Sequence, residues 1–213
     1  WQTCVPGSSI LLAYGGTREA FGEIEHAQNF FVDDPRLRTR DHQREFQSYT
    51  QIFKGAAEFL AAASLHFDFV YFAEYDHLPL VADLNERQIA QLEREGADML
   101  GFHLHRVDGT NDPHFLYHAS DSRFARYWRE MSRRPDKDVL LSMFGSGSFW
   151  NREAFLAIAE REEPFPIYLE WYLPTLAHHL GFRVRCYGAQ ERFVHNLCDR
   201  AGEIRPARQL GAG

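Results

Sequence analysis

Phe67-Asp68-Phe69-Val70-Tyr71-Phe72-Ala73-Glu74-Tyr75-Asp76-His77 is the stretch that decides the fold. Six of its first seven residues are apolar or aromatic, as in a strand buried on both faces. The run then breaks into two carboxylates one residue apart and an imidazole. A buried strand ending in acid-x-acid fits the carboxyl edge of an α/β sheet, where open sheets bind ligands. On an extended segment residues two apart point the same way, so Glu74 and Asp76 are expected to face one cation. Mg2+ and Mn2+ prefer oxygen ligands, and Mg2+ takes one or two carboxylates plus substrate phosphates.

Upstream, Ser9-Ile10-Leu11-Leu12-Ala13-Tyr14 reads as a strand closed by Gly15-Gly16. A short helix over 19–27 follows, then a strand, Asn29-Phe30-Phe31-Val32, stopped by Asp33-Asp34-Pro35. Over 39–63 apolar residues recur at helical spacing (Phe46, Tyr49, Ile52, Phe53, Ala56, Phe59, Leu60), predicting a long amphipathic helix. Downstream, Asn85 is expected to cap a helix, with Gln88 at the capping-box position and Gly96 at its end. A strand over 99–104 leads into a long loop over 107–122, followed by a helix over 123–133 and a strand over 139–144. Gly145-Ser146-Gly147-Ser148 reads as a turn, and Asn151 as the cap of a helix reaching about 161. A helix over 169–180 and a strand over 182–187 complete the pattern. Strands alternating with helices predict the α/β class, as a three-layer α/β/α sandwich with a mostly parallel central sheet.

The chain has 213 residues, 45% hydrophobic and 15% aromatic, which suits a single domain over 1–213 with a substantial core. Its 18 phenylalanines argue against disorder. A net charge of −7 supplies no basic field for nucleic acid or an anionic membrane. No apolar stretch approaches the roughly 20 residues of a membrane span. No basic segment followed by an apolar one opens the chain, so no signal peptide is expected. Cys4, Cys186 and Cys198 include no CxxC pair. That disfavours a disulfide framework or structural zinc and favours a reducing compartment, the cytoplasm.

Other groups carry chemistry by type. Gly15-Gly16 permits close backbone approach to a ligand, though Gly15-Gly16-Thr17-Arg18 lacks the spacing and lysine of a phosphate loop. Arg36, Arg38 and Arg40 suit either a solvated surface or a diphosphate. In Gly145-Ser146-Gly147-Ser148-Phe149-Trp150, small residues precede two aromatics. This is either a floor for a sugar ring or a strand-to-helix turn with both aromatics in the core. Glu170 opens a helix, where an acid suits the dipole and can also serve as a general base. His195 follows the last clear strand, and neutral imidazole is a good metal ligand. His103, His105, His114 and His118 surround the long loop without a Cys pair or an HExxH helix, so zinc is not expected there.

The order of a strand ending in Gly-Gly, a strand ending in acid, a long helix and a strand ending in acid-x-acid resembles the GT-A-fold glycosyltransferases, which use nucleotide-sugar donors. The resemblance spans about 9–195. It implies a Rossmann-related fold with a nucleotide-sugar half over 8–106 and an acceptor half over 107–200; the Gly-, Pro- and Arg-rich composition of 201–213 predicts a loosely ordered tail. It implies Asp76 as ligand of Mn2+ or Mg2+, with His195 completing the shell and His77 as a possible substitute. Tyr14, Gly15, Asp33, Glu74 and Tyr75 would meet the donor, Tyr14 by stacking on the base. Gly147, Phe149 and Trp150 would line the acceptor and sugar pocket. Glu170 would be the base of an inverting transfer to an acceptor hydroxyl. Two positions depart from the family pattern. Glu74 stands where Asp is usual, and Trp171 stands where an acid usually follows the base. A sugar nucleotidyltransferase, or a non-catalytic nucleotide- or carbohydrate-binding protein on the same scaffold, are the alternatives; Trp171 favours the latter. The partners expected are a nucleotide-diphosphate sugar and a hydroxyl acceptor, with self-association left open.

Overall fold

The computed structural model describes residues 5–38, 49–74, 77–107, 121–145 and 147–188, together with the backbone of 194–196. In chain order the first elements are β1 (Leu12–Tyr14), α1 (Arg18–Gly22), β2 (Asn29–Phe31), a 3-10 turn (Pro35–Arg38), α2 (Tyr49–Ala62) and β3 (Phe69–Phe72). Then come β4 (His77–Pro79), α3 (Leu84–Glu95), β5 (Met99–Gly101), β6 (His105–Arg106), α4 (Ser122–Met131) and β7 (Leu141–Ser142). The last are β8 (Ser148–Asn151), α5 (Arg152–Ala159), α6 (Leu169–His179), β9 (Val184–Cys186) and β10 (Val194–Asn196). The chain is a mixed α/β protein.

β3 is apolar at all four positions because both of its faces are covered. Val70 and Phe72 pack with the cluster containing Phe53, Trp150, Phe155 and Ile158, which comes from α2, β8 and α5. Phe69 and Tyr71 pack with Leu84, Leu92, Leu100 and Phe149, so α3 lies on that side. The alternation along the strand sends neighbours to opposite faces. Phe53 joins the larger cluster together, its ring 5.3 Å from Phe72, 5.6 Å from Trp150 and 5.2 Å from Phe155. α2 also packs on β1 and β2, where the Phe30 and Phe59 rings stand 6.2 Å apart.

The sheet that β3 begins has the order β3-β8-β5-β9. β8 runs antiparallel to both neighbours, and only β5 and β9 are parallel. This corrects the expectation of a mostly parallel central sheet. Ser148 to Asn151, split in the sequence reading between a turn and a helix cap, forms the inserted strand. β1 and β2 make a separate parallel pair. Two further pairs are antiparallel, β4 with β10 and β6 with β7.

Several expected ends shift. The long helix is described from Tyr49, and 39–48 lie outside the described residues. Asp83, not Asn85, is the residue before α3, and Asn85 instead donates its amide to Ser8 Oγ at 2.6 Å. Gly96 closes α3 in the left-handed conformation at φ 55°, as expected. Asn151 caps α5 by accepting from the Ala154 N–H. Among the described residues no helix is long and apolar enough to cross a membrane.

Candidate functional site

The carboxyl end of β3 and the glycine-rich segment meet directly. Phe72 is in register with Ser148, and its carbonyl accepts the Gly147 N–H at 3.0 Å. Gly147 sits at φ 84°, a left-handed turn that strongly favours glycine. Two residues earlier, the Gly145 N–H donates to Glu170 Oε1 at 2.9 Å. A bonded path therefore runs from the strand that ends in acid, through the glycine-rich segment, to the candidate base. Phe149 and Trp150 do not line an open pocket. They are 1% and 0% exposed, and the Trp150 indole N–H is satisfied by Ser148 Oγ at 2.8 Å. Both are strand residues of the core, one on each face, which matches the core alternative of the sequence reading.

Glu170 is held twice. Beside the side-chain contact, its backbone carbonyl accepts the Met143 N–H at 3.0 Å. In an unbroken helix that carbonyl would take the N–H of the residue four positions on. That residue is Pro174, inside α6, which has no N–H to give. The proline thus releases the Glu170 carbonyl to the 141–145 segment. One turn along, Thr175 Oγ1 accepts from the Leu141 N–H at 2.9 Å and donates to the Leu141 carbonyl at 3.1 Å. β7 is laced to the start of α6 by these bonds, and Glu170 is fixed between them. The spacing Glu170-x-x-x-Pro174 was visible in the sequence and is the signal that could have found this.

The acid-x-acid segment is pinned at its ends. Tyr75 and Asp76 lie outside the described residues. The His77 N–H donates to the Glu74 carbonyl at 3.1 Å, joining the two residues that flank them. His77 is 1% exposed, and its Nε2 lies 2.7 Å from Tyr71 Oη. Burial pushes the Tyr71 phenol far above its ordinary range, so it remains a neutral hydroxyl that can donate or accept. In the backbone ladder His77 opposes Asn196, and His195 opposes Leu78. The backbone of the candidate ligand His195 is thereby brought next to the residue that follows Asp76. Among the described residues no three His, Cys, Asp or Glu side chains gather as a metal group; Asp76 and the His195 side chain fall outside those residues.

A second cluster forms at the carboxyl ends of β1 and β2. Asp33 pairs with Arg18 at 2.9 Å and Arg38 at 3.2 Å. The Arg18 hydrogen bond, then that of Arg38, holds the Asp33 carboxyl below the usual carboxylate range. Two guanidiniums on one carboxylate leave the trio with net positive charge. Arg18 also lies 4.5 Å above the Phe31 ring. Tyr14 packs beside Phe21 at 6.2 Å. The two glycines serve their neighbours: a Cβ on Gly15 would collide with Leu37, and one on Gly16 with the Tyr14 ring. Arg36 is committed to Asp34, with Nε at 2.8 and 2.7 Å from its two oxygens. Arg40 lies outside the described residues. Arg18 was not singled out by the sequence reading.

Comparison with known proteins returns no match to a family model, a curated protein or a solved structure. The chemical reading therefore rests on the geometry of this chain. The two clusters share one support, since α2 packs on β1 and β2 and, through Phe53, on the last residue of β3. One cluster offers positive charge with aromatic rings. The other offers a fixed carboxylate beside a glycine-rich backbone.

Proposed function

We propose that the chain is a metal-dependent, inverting glycosyltransferase that moves a sugar from a nucleotide-diphosphate sugar to an acceptor hydroxyl. The single observation that carries the reading is the bonded path from Phe72 through Gly147 and Gly145 to Glu170. It supports an acceptor-activating carboxylate one short segment away from the acid motif. Glu170 takes the proton of the acceptor hydroxyl as that oxygen attacks the anomeric carbon. The bond from that carbon to the diphosphate oxygen breaks, and the nucleoside diphosphate leaves. Attack opposite the leaving group inverts the anomeric centre.

The residue types fit a divalent cation. Asp76, Glu74 and His195 are hard oxygen donors and an imidazole, a set suited to Mn2+ or Mg2+. The β4–β10 register places the backbone of His195 opposite Leu78, two residues past Asp76 in the chain. When bound, the cation would neutralise charge on the leaving diphosphate. Asp33 with Arg18 and Arg38, together with Tyr14, suits the nucleotide, with the guanidiniums toward its phosphates or base. The helix-covered faces of β3 support a three-layer GT-A-like arrangement, and the sparse cysteines support a cytoplasmic setting. Trp171 is 0% exposed, so its indole is a core side chain and meets neither donor nor acceptor.

A melting-temperature screen of nucleotides and nucleotide sugars, with and without Mn2+, tests the reading. A ligand present at 100 times its Kd adds about 2.7 kcal/mol of stability. The expected result is an Mn2+-dependent rise with a nucleoside diphosphate or its sugar that disappears in Asp76→Ala. No such rise with any nucleotide would overturn it. Pyrophosphate release from a nucleoside triphosphate would indicate the nucleotidyltransferase instead.

A further inference from the structure

Phe144 is the one large aromatic side chain among the described residues that stands clearly open to solvent, at 40% exposure. Its openness is not slackness. Its N–H donates to the Phe102 carbonyl at 2.8 Å, and its ring meets the Phe102 ring edge-on at 5.8 Å. The other side of this small stack is His103, whose ring centroid lies 4.0 Å from that of Phe102. His103 is exposed and holds φ at 51°, a left-handed backbone that is uncommon for a residue with a side chain. Strain of this kind is often found at functional sites, and the stack adjoins in the chain the residue that holds the candidate base. A single peptide bond separates Phe144 from the Gly145 amide that grips Glu170.

We propose that Phe144, backed by Phe102, is the platform on which a pyranose acceptor lies, with its hydroxyl toward Glu170. This rests on the transferase reading for the role of Glu170, and it moves the aromatic contact away from Phe149 and Trp150. The physical match is between ligand and surface. A pyranose has an apolar face of C–H groups and a rim of hydroxyls; the exposed Phe144 ring suits the first, and a carboxylate anchored to the next residue's N–H suits the second. A platform held by its backbone loses little freedom when the sugar arrives. The imidazole of His103 adds a polar group on the same stack.

Saturation-transfer NMR with the methyl glycosides of glucose, galactose, mannose and N-acetylglucosamine tests this directly, without nucleotide or metal. At least one glycoside is expected to receive saturation on its ring C–H protons. Phe144→Ala should weaken that binding by about tenfold, a loss of ~1.4 kcal/mol. Phe144→Trp should retain it, and melting curves of both variants check that the fold persists. If no glycoside binds the native chain, or if Phe144→Ala binds as the native chain does, the platform is overturned. Sugar binding without any nucleotide-induced rise in melting temperature would keep the platform and overturn the transferase.

Discussion

At the residue scale, Glu170 shows how local chemistry builds a candidate base. Its carboxylate receives the Gly145 N–H, and its carbonyl receives the Met143 N–H because Pro174 offers none. Glu170→Gln separates the two roles of this side chain. The amide oxygen still accepts from Gly145, so the fold is expected to persist, whereas the ability to take a proton is lost. Steady-state transfer should fall by about 10²–10⁴, the usual worth of a general base, while the nucleotide-induced rise in melting temperature stays. Equal transfer rates in the two proteins would remove Glu170 from the chemistry. The same residue was legible in the sequence as an acid in a first helical turn. Its partners were not, because hydrogen bonds to Met143 and Gly145 span about 25 residues and follow no local periodicity. The opposite happened at Trp150. An aromatic after glycines reads equally as floor or core, and only the sheet around it decides.

At the scale of elements, β3 and β4, which flank Asp76 in the chain, are tied to each other by side chains. Tyr71, near the end of β3, reaches over to His77, the first residue of β4, at 2.7 Å. Tyr71→Phe deletes one oxygen and keeps the ring between Phe149 and His77. It should cost about 1–3 kcal/mol, the range for removing a buried hydrogen-bond partner, read as a lowered midpoint in urea. Under the proposed function it should also weaken the Mn2+-dependent response to nucleotide, measured at matched residual stability. An unchanged midpoint would mean that this contact does not tie β3 to β4. Helices were the legible elements, because α2, α3, α4, α5 and α6 declare themselves by spacing and caps such as Asn151 and Gly96. β4, β8 and β10 were not. Each is only three or four residues long and includes a polar residue or proline instead of belonging to an apolar run, and its pairing partner lies far away in the chain. The mixed direction of the central sheet followed from β8.

At the scale of the whole molecule, the largest cluster is closed at the end of α6 by two histidines kept neutral. His179 stacks on Trp128 at 5.4 Å, with Nδ1 at 2.8 Å from Ser132 Oγ and Nε2 at 2.8 Å from the Val139 carbonyl. Burial pushes it below the ordinary imidazole range. Burial, then His179 and Arg134, lower the neighbouring His178 to about 4, against a modest opposing pull from Asp136. In the unfolded chain both titrate near the usual value of about 6.5. Between these limits the unfolded state binds more protons than the folded one, so stability falls as pH drops from about 6.5 toward 4. The carboxylate at Asp34 works in a lower window. Burial raises its pKa, but the hydrogen bonds from Arg36 outweigh that and hold it below 3.8, so its contribution is lost only in stronger acid. Glu163 works in the opposite sense, since burial raises its pKa and favours the folded state as pH falls. Melting temperatures from pH 7 to 4 should therefore decline for the native chain, and His178→Gln should flatten part of that decline, leaving the share of His179. Parallel curves for the two proteins across this window would show that His178 does not couple the core to acid.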